Sequence, residues 1–314
     1  MTVYNLFGVI KMKLIATLLL FLCISCGNEK GKRAEIEKDG SGNEWSISST
    51  NNWVKNKGLL NIESIVYDEA NGCFYSTNGT DYSLGTNGFI SKISDNGNLL
   101  DLKWIKNLNR PTGMAIHDSL LYVADINSLI VINTRSGKVL DNYLEPIANS
   151  GLNDVSINKN GEVYVTASFI HSIFKLVGGK LIVWNQDEEK LKWANGLLAT
   201  NTELLVAGLH INTINIGSKS IAQFKLKPPV KDFEGIVSDG LTGYFLTTVE
   251  NSGLFYLNEH GRINKLMEGN DYFGDLEFDS SLKKLYIPRG NKNSNEFFIT
   301  VLTMNRMTDQ NKRQ

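Results

Sequence analysis

Four short segments of the sequence carry an oxygen-bearing side chain at the same point of a repeating pattern. The four residues are Glu63, Asn153, Asn195 and Glu234. Each is followed by an apolar strand pattern, a short polar turn and a second apolar strand pattern. Calcium prefers roughly six to eight oxygen ligands, which carboxylates and amide carbonyls can supply. If the repeats bring these residues together, they predict a site for Ca²⁺ or another hard divalent cation.

The types of residue in this set narrow the choice of metal. No His or Cys occupies any of the four positions, which disfavours a soft or borderline metal. Asn and Glu are also common in turns, so each of the four taken alone fits a structural role. Their shared register across separate segments is what carries the prediction.

Two further segments complete a set of six repeats. Thr112 and Gly274 occupy the equivalent position, and the six positions recur at intervals of about forty residues. Short strands with this period predict an all-β fold, a six-bladed β-propeller with four-stranded antiparallel blades. We assign the propeller to residues 43–304 and a polar C-terminal tail to residues 305–314. The last repeat is one strand short, and we expect the segment from Glu44 to Ser49 to supply it and close the ring.

Other residues near these positions are candidates for a substrate pocket. In a propeller the innermost strands begin at one end of the central channel, where loops form a concave mouth. Thr112 begins one such strand, and Trp193 lies two residues before Asn195. His171 and His210 fall where second strands end near the same rim. The alternatives are ordinary solvated edge histidines and a tryptophan that packs between blades.

The ordered segments resemble a known family. Glu63, Asn153-Asp154, Asn195-Gly196 and Glu234-Gly235 are similar to the metal ring of the gluconolactonase/regucalcin (senescence marker protein) family, over roughly residues 55–304. The resemblance implies a calcium-dependent six-bladed propeller that hydrolyses lactones or related esters. It further implies that Glu234 binds metal and activates water or attacks directly. Asp154 would support Asn153 or act as a helper base.

The sequence departs from the family pattern at two positions. Glu234 stands where the family generally has Asp, and the extra methylene would move the carboxylate about 1.5 Å further into the channel. Gly151 stands where sugar-lactone members carry an Arg. These departures favour an alternative, a non-catalytic propeller like those of NHL repeats that binds a ligand or a cell-envelope partner.

The N-terminus has the features of a targeting segment. Lys11 and Lys13 precede an apolar run that is too short to span a bilayer, so residues 1–25 are predicted to be a signal peptide. The Ser25-Cys26-Gly27 sequence resembles a bacterial lipoprotein signal, which would lipidate Cys26. Residues 26–42 would then form a flexible tether. Ordinary secretion with another cleavage site is the alternative, and Met12 is an alternative start.

Composition limits the partners of the protein. A formal net charge of -1 with 21% charged residues excludes a strongly basic nucleic-acid surface. The sequence contains no Gly-x-Ser-x-Gly nucleophile elbow and no P-loop. We therefore expect a small-molecule substrate or ligand, no nucleic acid, and membrane contact through a lipid anchor only. The predicted location is the cell envelope, facing the periplasm or the exterior.

Overall fold

The structure is a computed structural model that describes residues 45–249, 252–291 and 293–307. The predicted signal peptide (1–25), the lipidation site at Cys26 and the tether (26–42) lie outside the described residues. So does most of the predicted tail (305–314). These described residues contain no helix with the length and hydropathy needed to cross a membrane.

The described residues form six antiparallel sheets that correspond to the six sequence repeats. Strand β1 (Trp45–Trp53) comes first in the chain. Blade I contains β2 (Ile65–Asp68), β3 (Cys73–Asn78), β4 (Gly88–Ser94) and β5 (Leu99–Leu108). Blade II contains β6 (Pro111–His117), β7 (Leu120–Asp125), β8 (Ser128–Asn133) and β9 (Val139–Leu144). Blade III contains β10 (Leu152–Ile157), β11 (Val163–Ala167), β12 (Ser172–Val177) and β13 (Lys180–Gln186), with a 3₁₀ turn at Ser168–Ile170.

The remaining blades follow the same pattern. Blade IV contains β14 (Leu197–Ala199), β15 (Glu203–Val206), β16 (Asn212–Asn215) and β17 (Ile221–Gln223). Blade V contains β18 (Phe233–Ser238), β19 (Tyr244–Thr248), β20 (Gly253–Leu257) and β21 (Ile263–Glu268). Blade VI contains β22 (Tyr272–Phe273), β23 (Glu277–Asp279), β24 (Lys284–Asn291) and β25 (Glu296–Arg306). The predicted all-β, six-bladed propeller with four-stranded antiparallel blades is confirmed.

The two ends of the propeller meet in blade VI. Strands β22 and β23 both pair with β24 and share the innermost position. Strand β1 pairs antiparallel with β25 and supplies the outermost strand, as the sequence predicts. This strand extends to Trp53, beyond the expected Ser49, and β25 continues to Arg306. The pairing satisfies backbone groups that an open edge would expose.

The hydrophobic core is divided among the seams between neighbouring blades. The clusters of buried side chains each combine residues from two adjacent sheets. Between blades I and II, for example, Tyr75 packs with Met114 and Leu121. Because strand side chains alternate between faces, each blade serves two seams and is buried on both sides. Cys73 lies in this same seam as a free, buried thiol, as expected for an inert core cysteine.

The start of the innermost strands is irregular. In blades II, III and V the pairing with the second strand shifts register at the repeat position, between Pro111/Met114, Leu152/Val155 and Phe233/Ile236. In blades I and IV the regular strand begins only two residues after that position, at Ile65 and Leu197. A bulge or delayed start releases a side chain from strict alternation and redirects it. The repeat therefore places its polar residues where the backbone can point them into the channel.

A candidate active site at the channel mouth

The structure brings the four predicted ring residues together. Glu63, Asn153, Asn195 and Glu234 line one cavity of ≈ 590 Å³ at the mouth of the channel. Both glutamates are almost fully buried, with exposed fractions of 6% and 5%. The sequence prediction that these positions converge is thus matched by their placement. Their role as metal ligands stays a prediction.

A second set of mouth residues lies two positions upstream of the ring. The residues at these positions in blades I, II, IV and VI are Asn61, Arg110, Trp193 and Tyr272. All four line the same opening as the ring residues. Loop residues supply the rest of the wall: Thr80, Asp81, Tyr82, Ser168, Phe169 and Val249. The mouth is therefore lined by two sets of repeat positions, the ring and an upstream tier two residues before it. Only the ring carries the predicted metal ligands.

Arg110 forms a buried ion pair with Glu63. The residue Arg110 is only 1% exposed, and its Nη2 donates to Glu63 Oε2. Nη2 also donates to the carbonyl of Asn61 at 3.0 Å, and Nη1 donates to that of Pro111 at 3.0 Å. Burial lowers the pKa of Arg110, but Glu63, Tyr82, Tyr272 and Glu234 together outweigh this effect and the pKa is raised. The guanidinium is thus a permanent cation inside the mouth.

Tyr82 extends this pair into a network. Its hydroxyl donates to Glu63 Oε1 at 2.9 Å, and Asn153 Nδ2 donates to the Tyr82 oxygen at 3.2 Å. The Arg110 guanidinium lies 5.6 Å from the Tyr82 ring centroid. Burial and the Glu63 carboxylate raise the pKa of Tyr82, so its hydroxyl remains a neutral donor. Both oxygens of Glu63 are therefore engaged by protein donors.

Glu234 has a different set of partners. Its Oε2 accepts from Asn195 Nδ2 at 2.9 Å, and its Oε1 accepts from the Tyr272 hydroxyl at 2.8 Å. Burial, followed by the charge of Glu63, raises the pKa of Glu234 to about 8. At neutral pH this carboxyl group therefore holds a proton for most of the time, and it sits near the value at which proton transfer in both directions is efficient.

These contacts do not fit a calcium site. A calcium ion requires carboxylate and carbonyl oxygens that face one central point. Here Asn153 and Asn195 direct their amide NH₂ groups to Tyr82 and Glu234, and Glu63 faces a guanidinium. Within residues 45–307, apart from the few undescribed positions, no three His, Cys, Asp or Glu side chains are grouped to hold a metal ion, and the predicted set itself includes only two residues of these types.

Asp154 lies below the mouth and links two blades. Its Oδ2 accepts from the backbone N–H of Leu197 at 2.7 Å, and its Oδ1 accepts from Val155 N–H at 2.7 Å. Burial and the nearby Asp275 raise the pKa of Asp154 well above its usual value. Asp154 lines a second cavity, of ≈ 180 Å³, which the innermost strands of all six blades surround. We call this second cavity the inner channel.

The other predicted pocket residues occupy different surroundings. The hydroxyl of Thr112 donates to the carbonyl of Ala124 at 3.2 Å, inside the blade, and it does not line the mouth. Trp193 does line it, with 52% of the residue exposed. His171 packs behind Trp193, with ring centroids 5.6 Å apart and an interplanar angle of 80°. His210 lines a separate cleft beside Phe224 and Val230.

Sequence reasoning missed three residues that dominate the chemistry of the mouth. Arg110 and Tyr272 occupy the upstream tier, and a comparison of residues two before each ring position would have found them. Tyr82 lies in the loop between β3 and β4, and no repeat pattern marks it. Its partner Glu63 is 19 positions away in the sequence. Only folding reveals that contact.

Comparison with known proteins supports the fold. No protein-family model and no curated protein matches the sequence. Solved structures do match at low identity. Virginiamycin B lyase from Staphylococcus aureus, solved with quinupristin, aligns with a TM-score of 0.57 and 15% identity over 78% of this chain and 81% of the lyase. A gluconolactonase from Xanthomonas campestris aligns with a TM-score of 0.58 and 14% identity over 78% and 86% of the two chains.

A luciferin-regenerating enzyme aligns with a TM-score of 0.58 and 13% identity, over 78% of this chain and 92% of the enzyme. The chain is therefore a six-bladed propeller structurally similar to gluconolactonases and to virginiamycin B lyase. The three structures named above are enzymes. Identities this low show a common fold, while function depends on the site.

Proposed function

We propose that the protein is a hydrolase of lactones or related uncharged esters, and that the channel mouth is its active site. The observation that carries the proposal is the buried Glu234, which is held by Asn195 and Tyr272 in a concave opening. A carboxyl group with a pKa near 8 can take a proton from water and return it to a leaving group. The enzymes among the similar structures make this activity a consistent choice for the fold.

The reaction would use Glu234 as a general base and then as a general acid. As the oxygen of a water molecule bonds to the ester carbonyl carbon, the proton of that water passes to the Glu234 carboxylate. The resulting oxyanion would accept a hydrogen bond from the Asn195 amide, whose Nδ2 carries a second N–H beside the one donated to Glu234. Collapse breaks the bond to the alkoxide, which receives the proton from Glu234. The products are a carboxylic acid and an alcohol, joined in one molecule if the substrate is a lactone.

The walls of the mouth favour an uncharged substrate with an apolar body. Tyr82, Phe169 and Trp193 are 43%, 49% and 52% exposed, which is unusual for aromatic residues on a soluble surface. The Arg110 charge is paired with Glu63 and is not free to bind an anion. At Gly151, where sugar-lactone members of the resembling family carry Arg, a Cβ would lie 2.7 Å from the Phe169 ring. An aromatic side chain therefore covers the position from which a sugar acid would be recognised.

Hydrolysis assays on the purified propeller would test this proposal. We expect turnover of aromatic or alkyl lactones and esters, and weaker turnover of gluconolactone. The Glu234→Gln variant should lose about a hundredfold or more in kcat/KM. The exposed Glu203 on β15 supplies the control, because Glu203→Gln should keep full activity.

The alternative function is a non-catalytic binding module, and one observation favours it. Every predicted ring residue already has a protein partner, as in a rigid recognition site. Saturable binding of the esters without turnover, unchanged in Glu234→Gln, would support that alternative and overturn the hydrolase proposal.

We also propose that the protein acts in the cell envelope and is lipidated at Cys26. The support is the apolar run followed by Ser25-Cys26-Gly27. The full-length protein should partition into detergent, while the Cys26→Ser variant should stay in the aqueous phase. Equal partitioning of both would point to ordinary secretion.

A further inference from the structure

We propose that Arg110 is a built-in cation that takes the place of a divalent metal at the mouth, so that the site works without calcium. The inference concerns the same mouth as the proposed hydrolase but needs no substrate to be tested. It follows from how Arg110 is held, from which groups it faces and from what a metal would have to displace.

The fold fixes Arg110 in the mouth through its backbone. The Asp125 carboxylate accepts from the backbone N–H of Arg110 at 2.7 Å and from that of Asn109 at 2.9 Å. Pro111 follows directly and holds Arg110 in an extended conformation. Both restraints act on the residue directly before the innermost strand of blade II, which begins at Pro111. The side chain is therefore directed inward by the start of β6.

The neighbouring blade provides space for the aliphatic part of the side chain. A Cβ on Gly79 would lie 2.7 Å from Arg110 Cδ, so only a glycine leaves room there. The guanidinium then reaches Glu63 and the carbonyl of Asn61, both from blade I. Arg110 thus bridges the first two blades in a cavity shaped to receive it.

The groups around Arg110 are those that would otherwise bind a hard cation. Glu63 is the first predicted metal ligand, and its carboxylate contacts the guanidinium directly. Tyr82 covers the same pair from the loop, with its ring 5.6 Å from the guanidinium carbon. A calcium ion at Glu63 would have to expel a buried Arg110 or lie beside it. Either outcome leaves a buried charge without its partner or places like charges together, and both are strongly unfavourable.

Terbium luminescence offers a direct test. Tb³⁺ occupies calcium sites, and Tyr82 would sensitise its emission because the phenol touches Glu63. We expect no saturable, calcium-competed emission from the wild type up to about 1 mM metal, the range of weak calcium sites. Arg110→Met should gain such emission, with a dissociation constant at least tenfold lower than the wild-type limit. The double variant Arg110→Met/Glu63→Gln should lose it again.

A matched control is available in blade VI. Arg289 is partly buried, with 12% of its side chain exposed, is paired with Asp271 at 3.0 Å and lies outside the mouth. Arg289→Met should therefore show no terbium emission. Calcium-competed emission from the wild type would overturn the proposal, and this result does not depend on whether any variant folds. Failure of Arg110→Met to gain emission while it remains folded by circular dichroism would also overturn it.

The test separates this inference from the proposed hydrolase. If esters are hydrolysed, the activity should persist in excess chelator and should not rise with added calcium. Activity that chelation abolishes would overturn the metal-free site while supporting hydrolysis. If no ester is hydrolysed, the absence of wild-type terbium binding would still support the role of Arg110.

Discussion

The mouth and the inner channel are built from adjacent positions of one repeat, yet their carboxylates face different partners. At the mouth, Glu63 and Glu234 are engaged by side chains: a guanidinium, two phenols and an amide. One residue after the repeat position, Asp154 and Asp275 face mostly backbone N–H groups of their own and neighbouring blades. The first arrangement can be rearranged by a substrate, whereas the second holds blades together.

The carboxylates of the mouth and of the inner channel differ because the two repeat positions pack differently against the next blade. Gly113 in blade II lies against Asp154 of blade III, and Gly235 of blade V lies against Asp275 of blade VI. A glycine on one blade thus makes room for an aspartate on the next. The side chains of the mouth residues extend into the opening instead. Similar residue types therefore take up binding or structural roles according to a shift of one position.

Removing the cation from the mouth should have the largest effect on stability and so tests the comparison most directly. Arg110→Met leaves the Glu63 carboxylate buried without its partner, which should lower the free energy of unfolding by about 3–5 kcal/mol at neutral pH. Urea unfolding with circular dichroism measures the change. Adding Glu63→Gln should restore most of the loss. A single variant as stable as the wild type would mean that the ion pair is not buried in solution.

Two glycines allow the regions to be compared with the same substitution. A Cβ on Gly113 would lie 2.5 Å from the backbone Cα of Asp154, whereas on Gly79 it would meet the Arg110 side chain. Since backbone moves less easily than a side chain, Gly113→Ala should cost about 3 kcal/mol and Gly79→Ala about 1 kcal/mol. Thermal unfolding of both variants under one condition tests this order. The reverse order would contradict a rigid inner channel.

Asp154 distinguishes a structural carboxylate from a catalytic one. Asp154→Ala leaves the N–H groups of Val155 and Leu197 without an acceptor, so unfolding should become easier by about 1–3 kcal/mol. Ester turnover per folded molecule should stay within twofold of the wild type. Asp154→Asn, which keeps one acceptor oxygen, should lose less stability. A large fall in kcat for the stable Asn variant would instead support the helper-base role that the family resemblance implies.

The inner channel should also carry the smallest expected effect, a pH dependence. Burial, followed by the charges of Asp275 and Asp279, raises the pKa of Glu277 from 4.5 to about 8. The folded protein thus keeps a proton that the unfolded chain releases, and stability should fall as pH rises from about 5 to 8. Glu277→Gln should make that fall smaller, because the amide does not titrate. Chemical unfolding at pH 5 and pH 8.5, with Glu203→Gln as control, measures it, and equal slopes in both variants would contradict this assignment.

Part of the site could be read from the sequence because the repeat fixes register. Glu63, Asn153, Asn195 and Glu234 share one position of a unit of about forty residues, and rotational repetition must bring equal positions together. Arg110 and Tyr272 lie two residues before the repeat positions of their blades, so the same repeat also locates them. The closing strand β1 could likewise be predicted, because the last repeat lacks a strand and an open edge is unfavourable.

What the sequence alone determined is the architecture and the convergence of its polar positions, since strand periodicity and repeat length are local properties of the chain. The tertiary structure decided what those positions contact. It placed a guanidinium against Glu63, turned the amides of Asn153 and Asn195 toward protein acceptors, and brought the Tyr82 loop over the pair. These contacts join residues from different blades, and their geometry depends on bulges and loop conformations that no repeat pattern specifies.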